Sequence, residues 1–116
     1  MFDEIFVMSF KQTILDAMEL IFPINFVGHD EWLESDYAVN LAYGDVITRD
    51  GEILGRWRVV EYDPELDYAS GSYEFIADGQ TEVMFQARFE SIDSRISRGF
   101  ALSQITHRIR KWYEYF

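Results

Sequence analysis

Residues 71–90 read GSYEFIADGQTEVMFQARFE, and they decide the fold class. Tyr73, Phe75 and Ala77 recur at every second position, then Val83, Phe85, Ala87 and Phe89 do the same beyond Asp78-Gly79-Gln80. A period of two is that of a strand with one buried face, and the Gly-containing break between the runs predicts a hairpin. Register fixes the expected loop. A two-residue Asp78-Gly79 turn sets Phe75 opposite Glu82 and mixes the faces. A three-residue loop sets Phe75 opposite Val83 and Tyr73 opposite Phe85, which keeps them apart.

Upstream, Tyr37, Val39, Leu41 and Tyr43 alternate with Ala38, Asn40 and Ala42, which predicts another strand. Val46 continues it out of register with Tyr43, so Gly44 is the expected bulge. Asp50-Gly51 predicts a type I′ hairpin turn, because that turn needs positive φ at its centre. The next strand, over 52–62, alternates Ile53, Gly55, Trp57 and Val59 with Leu54, Arg56, Arg58 and Val60. Together these runs predict a four-stranded antiparallel meander.

Helices are expected at both ends. Over residues 2–22, Phe6, Phe10, Ile14, Ala17, Met18 and Ile21 share one face, Asp3 and Glu4 complement the dipole, and Pro23 stops the run. Near the C-terminus, Leu102, Ile105, Ile109, Trp112 and Phe116 form one stripe; Ser103, Gln104, His107, Arg108, Arg110 and Lys111 form the other. The start of that helix is left open, since Ile92 and Ile96 lie off the stripe and Gly99 intervenes. Residues 24–35 are ambiguous between loop, suggested by Gly28 and His29-Asp30-Glu31, and a short helical turn across Trp32 and Leu33. The expected architecture is a two-layer α+β domain covering residues 1–116, with four strands packed by an N-terminal and a C-terminal helix.

Composition narrows the chemistry. The chain has 116 residues, no Cys and 48% hydrophobic residues, enough for a core without a metal or disulfide staple. Without Cys there is no disulfide, thiol nucleophile, iron–sulfur cluster or Cys-based zinc site, which fits a reducing compartment. The N-terminal MFDEIFVMSFKQ carries Asp3 and Glu4 where a secretory signal has bases, and no window reaches the ~20 apolar residues of a membrane span. A soluble cytoplasmic protein is expected, with no membrane contact.

The net charge of −11 is unevenly spread. Residues 1–90 hold 19 acids against 5 bases, whereas residues 91–116 hold 2 acids and 5 bases. One acidic cluster comprises Asp30, Glu31, Glu34 and Asp36, with Trp32 and Tyr37 among them. The other is Glu61-Tyr62-Asp63-Pro64-Glu65-Leu66-Asp67-Tyr68, where Asp63 can cap a turn that Pro64 begins. Such clusters either keep a small domain soluble or present carboxylates where a basic partner would otherwise take phosphates. The interleaving of acid with Tyr and Trp favours binding, because these rings give rigid contact area. Asp30, Glu31, Glu34, Asp36, Glu61, Asp63, Glu65 and Asp67 are the candidate charges. Trp32, Tyr62 and Tyr68 are the candidate anchors.

Other chemistries find little support. Asp63, Glu65 and Asp67 alternate as in a calcium loop, but Pro64 interrupts them and Tyr68 stands where the sharp turn needs Gly. His29 and His107 have no partner at metal-ligand spacing, and a solvated loop is the expected place for His29. The glycines are scattered singly, so no phosphate-binding loop or nucleophile elbow is formed. No metal, cofactor or catalytic residue is therefore assigned, and the chain is expected not to be an enzyme. His107, Arg108, Arg110 and Lys111 form one basic patch, but the surrounding charge argues against direct nucleic-acid binding. Arg56 and Arg58 are expected to pair with acids across strands, beside Glu82, Arg88 and Glu90. Trp57, Phe75, Phe85 and Phe89 are expected core.

In size, acidity and α+β pattern, though in no motif, the chain is similar to immunity proteins, which cover the basic substrate groove of cytotoxic nuclease domains. That resemblance implies an inhibitor of a basic toxin or nuclease partner. A DNA-mimic inhibitor and an export chaperone are variants of the same reading. A small-ligand or enzyme domain using a sheet pocket is the alternative from another class. The aromatic C-terminus, Trp112-Tyr113-Glu114-Tyr115-Phe116, either docks on the sheet or forms a homodimer contact.

Overall fold

The computed structural model describes residues 22–66 and 69–115. The chain forms β1 (Ile24–Phe26), α1 (His29–Glu34), a 3-10 turn over Val39–Leu41, β2 (Tyr43–Thr48), β3 (Ile53–Val60), β4 (Gly71–Ala77), β5 (Phe85–Phe89) and α2 (Arg95–Glu114). All five strands pair antiparallel in chain order. Helix α2 packs on β5 and β4 and also touches β1. Since β1 and β5 are opposite edges, one helix meets both only if the sheet curls around it.

The α+β class holds, but with five strands rather than four. The additional strand, β1, pairs Ile24 with Thr48 and Phe26 with Val46 inside the stretch read as ambiguous. The helix expected over 2–22 lies outside the described residues, apart from Phe22. The strand expected from Tyr37 begins only at Tyr43, because Asp36 and Tyr37 take left-handed backbone (φ 63° and 64°) and Val39–Leu41 close a 3-10 turn.

Turn chemistry departs from expectation in two places. Gly51 is left-handed (φ 86°) and Asp50 is not, so the turn is not type I′. Thr48 pairs with Glu52 around Arg49-Asp50-Gly51, and the Gly51 amide donates to the Thr48 carbonyl (3.0 Å). The register shift in the β2–β3 ladder falls between Val46 and Ile47, not at Gly44. Gly44 instead serves close approach: a Cβ there would run into the Val27 carbonyl and the Trp57 indole, which donates to that carbonyl at 2.8 Å.

The β4–β5 register also moves. Phe75 pairs with Phe85 and Tyr73 with Ala87, two residues further on than expected. The connection therefore runs from residue 78 to residue 84, and Val83 is left in it, 37% exposed. A shift of two preserves the side-chain faces, so Ala87 and Phe89 still point to the core.

Trp57, Tyr73, Phe75, Phe89, Ile105 and Ile109 fill the space between sheet and α2. Phe85 packs partly buried against them, stacked on Phe75 at 6.1 Å. On β4, Ser72 and Ile76 are buried on the reverse face as well. Helix α2 starts where the Ser94 hydroxyl accepts from the Ser97 amide (3.1 Å) and runs unbroken through Gly99. Among the cross-strand charges, Arg58 pairs with Glu74 at 2.7 Å and Arg88 lies 3.9 Å from Glu61; Glu82 and Glu90 are in no ion pair among the described residues.

Candidate functional site

Both acidic segments are built on one aromatic hub. Helix α1 is only six residues long, and burial of Trp32 anchors it. The Trp32 indole N–H donates to the Tyr62 hydroxyl (3.2 Å), which donates in turn to the Tyr37 carbonyl (2.8 Å). These bonds span 30 and 25 residues, and the Trp32 and Tyr62 ring centroids stand 5.9 Å apart. One phenol thus ties the segment bearing Glu61, Asp63 and Glu65 to the segment bearing Asp30, Glu31, Glu34 and Asp36.

The backbone around this phenol is strained. Among the described residues the non-Gly positions with positive φ are Asp36, Tyr37 and Glu61, all beside the hub. Each such residue costs roughly 1–2 kcal/mol and persists only where its surroundings hold it. Here the Tyr37 amide donates to the Trp32 carbonyl (3.1 Å), and the Arg98 guanidinium lies over the Tyr37 ring at 5.5 Å. Beyond Glu61, the Asp63 carboxylate accepts from the Glu65 amide (3.0 Å) and the Asp63 carbonyl from the Leu66 amide (3.1 Å). The expected Asp63-capped turn is therefore present.

A second buried link lies beneath α1. His29 and Tyr73 share a hydrogen bond of 2.8 Å between Nε2 and the hydroxyl. Burial holds the imidazole well below its usual range, at about 4, with Asp30 opposing the shift and Arg98 adding to it. Burial also pushes the Tyr73 phenol up, so both groups are neutral near pH 7. The solvated loop expected for His29 is thus corrected: the side chain is 8% exposed and packs against Trp32, Trp57 and Tyr73.

The candidate residues divide by position. Asp30, Glu31, Glu34, Asp36, Glu61, Asp63 and Glu65 are all exposed. Trp32 has no accessible surface, so the anchor role expected of it passes to the core, and Tyr62 is half-buried with its hydroxyl engaged. Asp67 and Tyr68 lie outside the described residues. Leu66, which the reading of charges passed over, stands 60% exposed beside Glu65. Sequence reasoning also missed the His29–Tyr73 pair, whose partners are 44 residues apart and carry no local signal.

Among the described residues, no three His, Cys, Asp or Glu side chains gather as metal ligands. In the basic patch, Arg110 pairs with Glu114 at 2.8 Å, and Arg108 donates to the Gln86 carbonyl at 3.4 Å. A groove of about 610 Å³ lies between β1, α1 and α2, bordered by Phe26, His29, Leu102, His107 and Arg110. No described helix is long and apolar enough to cross a membrane. Compared with known proteins, the chain matches no family model, no curated protein and no solved structure.

Proposed function

We propose that this chain is a non-enzymatic binding protein of the cytoplasm that neutralises a basic partner, of the class of a toxin or nuclease domain. One observation carries this reading. Seven exposed carboxylates come from two segments, distant in sequence, that a single half-buried phenol ties together, on backbone held in a costly conformation. Carboxylates carried on backbone held in this way need only side-chain ordering to meet cationic groups, and their summed field speeds encounter. Leu66 and the exposed part of Tyr62 supply apolar contact between the charges, and Asp67 and Tyr68 continue the same segment.

Glu31, Glu34 and Glu65 provide the test, since among the described residues their carboxylates hold no hydrogen bond and their reversal spares the hub. Wild-type protein and the triple variant Glu31→Lys, Glu34→Lys, Glu65→Lys are immobilised and exposed to source-cell lysate at low salt. A basic protein retained by wild type and lost by the variant is the expected result. Equal retention by both would move the function to another surface. Release as salt rises marks the acidic face, whereas persistence marks the apolar groove of a chaperone.

The groove between β1, α1 and α2 supports a second reading, as a small-ligand domain. Its volume falls within the range of about 300–1,000 Å³ that ligand sites occupy. Thermal stabilisation by a metabolite, with no protein partner captured, would favour it.

A further inference from the structure

We propose that the far end of the sheet is a docking groove for an extended basic–apolar peptide segment, one in which Lys or Arg alternates with apolar side chains. Ile53 and Val60 are opposite ends of β3, so this groove is remote from Glu61 and the aromatic hub. It measures about 560 Å³ and lies between the start of β3, the end of β4, the 78–84 connection and the last turns of α2. Its floor is apolar and open. Ile53 is 45% exposed, and Val83 and Met84 are 37% and 39% exposed, with Leu54 and Trp112 behind them.

Its rim carries charge of one sign. Glu52, Asp78 and Glu82 border the groove, and among the described residues no Lys, Arg or His lines it. The Tyr113 hydroxyl donates to Glu52 Oε2 at 2.7 Å and sets the direction of that carboxylate. That bond, and after it the charges of Glu52 and Asp50, raise the Tyr113 phenol. An acidic or purely polar segment would meet repulsion or leave the floor wet. A cationic side chain instead lays its aliphatic stem on the apolar floor, beside the Trp112 ring, while its head reaches the rim. The register of the β4–β5 hairpin creates this surface, because it leaves the Val83 and Met84 side chains in the connection, where the Met84 amide still donates to the Phe75 carbonyl (2.8 Å).

The methyl group of Met84 reports on the groove. Methyl-labelled methionine protein is titrated with an octapeptide of alternating Arg and Leu, and the Met84 signal is identified by its loss in Met84→Leu. A saturable Met84 shift is expected with this peptide and not with Glu–Leu or Arg–Ser peptides of equal length. Asp78→Lys with Glu82→Lys is expected to weaken binding by about tenfold or more. Glu82→Lys alone preserves the test if the double variant does not fold. The triple Lys variant at the hub is expected to leave this binding unchanged, so the two surfaces fail or succeed separately. An unmoved Met84, equal binding of a control peptide, or undiminished binding by a folded Lys variant would overturn the proposal. So would concentration-dependent self-association that shifts Met84 without peptide, since the occupant would then be a second copy.

Discussion

At the Val60 end of β3, carboxylates stand on backbone that a buried network holds; at the Ile53 end they border an open apolar floor. The first end has a phenol bonded at Trp32 and Tyr37 to one other segment, a neutral His–Tyr pair beneath it and left-handed residues at Asp36, Tyr37 and Glu61. At the second, an exposed hydrogen bond joins Tyr113 to Glu52, and backbone bonds from the Asp78 and Met84 amides hold the connection. Similar charge is thus presented in two ways. Where the core holds the backbone that carries the acids, the proposed binding would need only side-chain ordering. Where acids rim an open floor, the contact can adapt to the segment that fills it.

This contrast has measurable consequences for stability, and the largest concerns pH. His29 has a folded-state value of about 4 against an ordinary 6.5, so the unfolded chain binds the extra proton between these values. Its contribution is complete above pH 6.5, declines as pH falls, and is exhausted below about 4. The stability of wild type relative to His29→Gln should therefore fall by about 3 kcal/mol across that window, measured by urea unfolding. A pH-independent difference would mean that the imidazole is solvated and the hub is looser than its geometry.

Tyr62→Phe keeps the ring and removes only the hydroxyl that joins the acidic segments. Leaving the Trp32 N–H and the Tyr37 carbonyl without it should cost about 2 kcal/mol in the same assay. A smaller and opposite effect is expected for Glu61→Gly, which relieves left-handed strain and should raise stability by about 0.5–1 kcal/mol. Loss of stability there would show that the Glu61 side chain is structural. Tyr113→Phe at the other end should leave the thermal midpoint unchanged, since its hydroxyl bond is exposed. A clear drop would erase the difference between the two ends.

Much of this arrangement was legible in the sequence, and the failures have physical causes. Alternation over 53–60 and 71–77 identified β3 and β4, and Ile105 and Ile109 marked the buried stripe of α2. Strand β1, at three residues, is shorter than two full alternations and shows no period. The alternation from Tyr37 to Leu41 is not a strand, because left-handed backbone at Asp36 and Tyr37 and the 3-10 turn over Val39–Leu41 override it. For the candidate site, the described carboxylates are exposed as expected, whereas Trp32 is fully buried. Trp32 stands among Asp30, Glu31 and Glu34 in sequence, but the six-residue helix turns it fully inward, with Leu33 partly buried against the same core. The His29–Tyr73 and Trp32–Tyr62 contacts depend on tertiary approach across 44 and 30 residues, to which local pattern is blind.

The most direct test of the acidic hub as a binding surface is the salt dependence of affinity for the captured basic partner, measured for wild type and the triple Lys variant. Wild type is expected to bind tightly at low salt and to weaken steeply as salt rises, while the variant binds weakly at every salt concentration. Equal affinities with parallel salt profiles would contradict the assignment and leave the carboxylates of α1 and the 61–66 segment as a solvated surface.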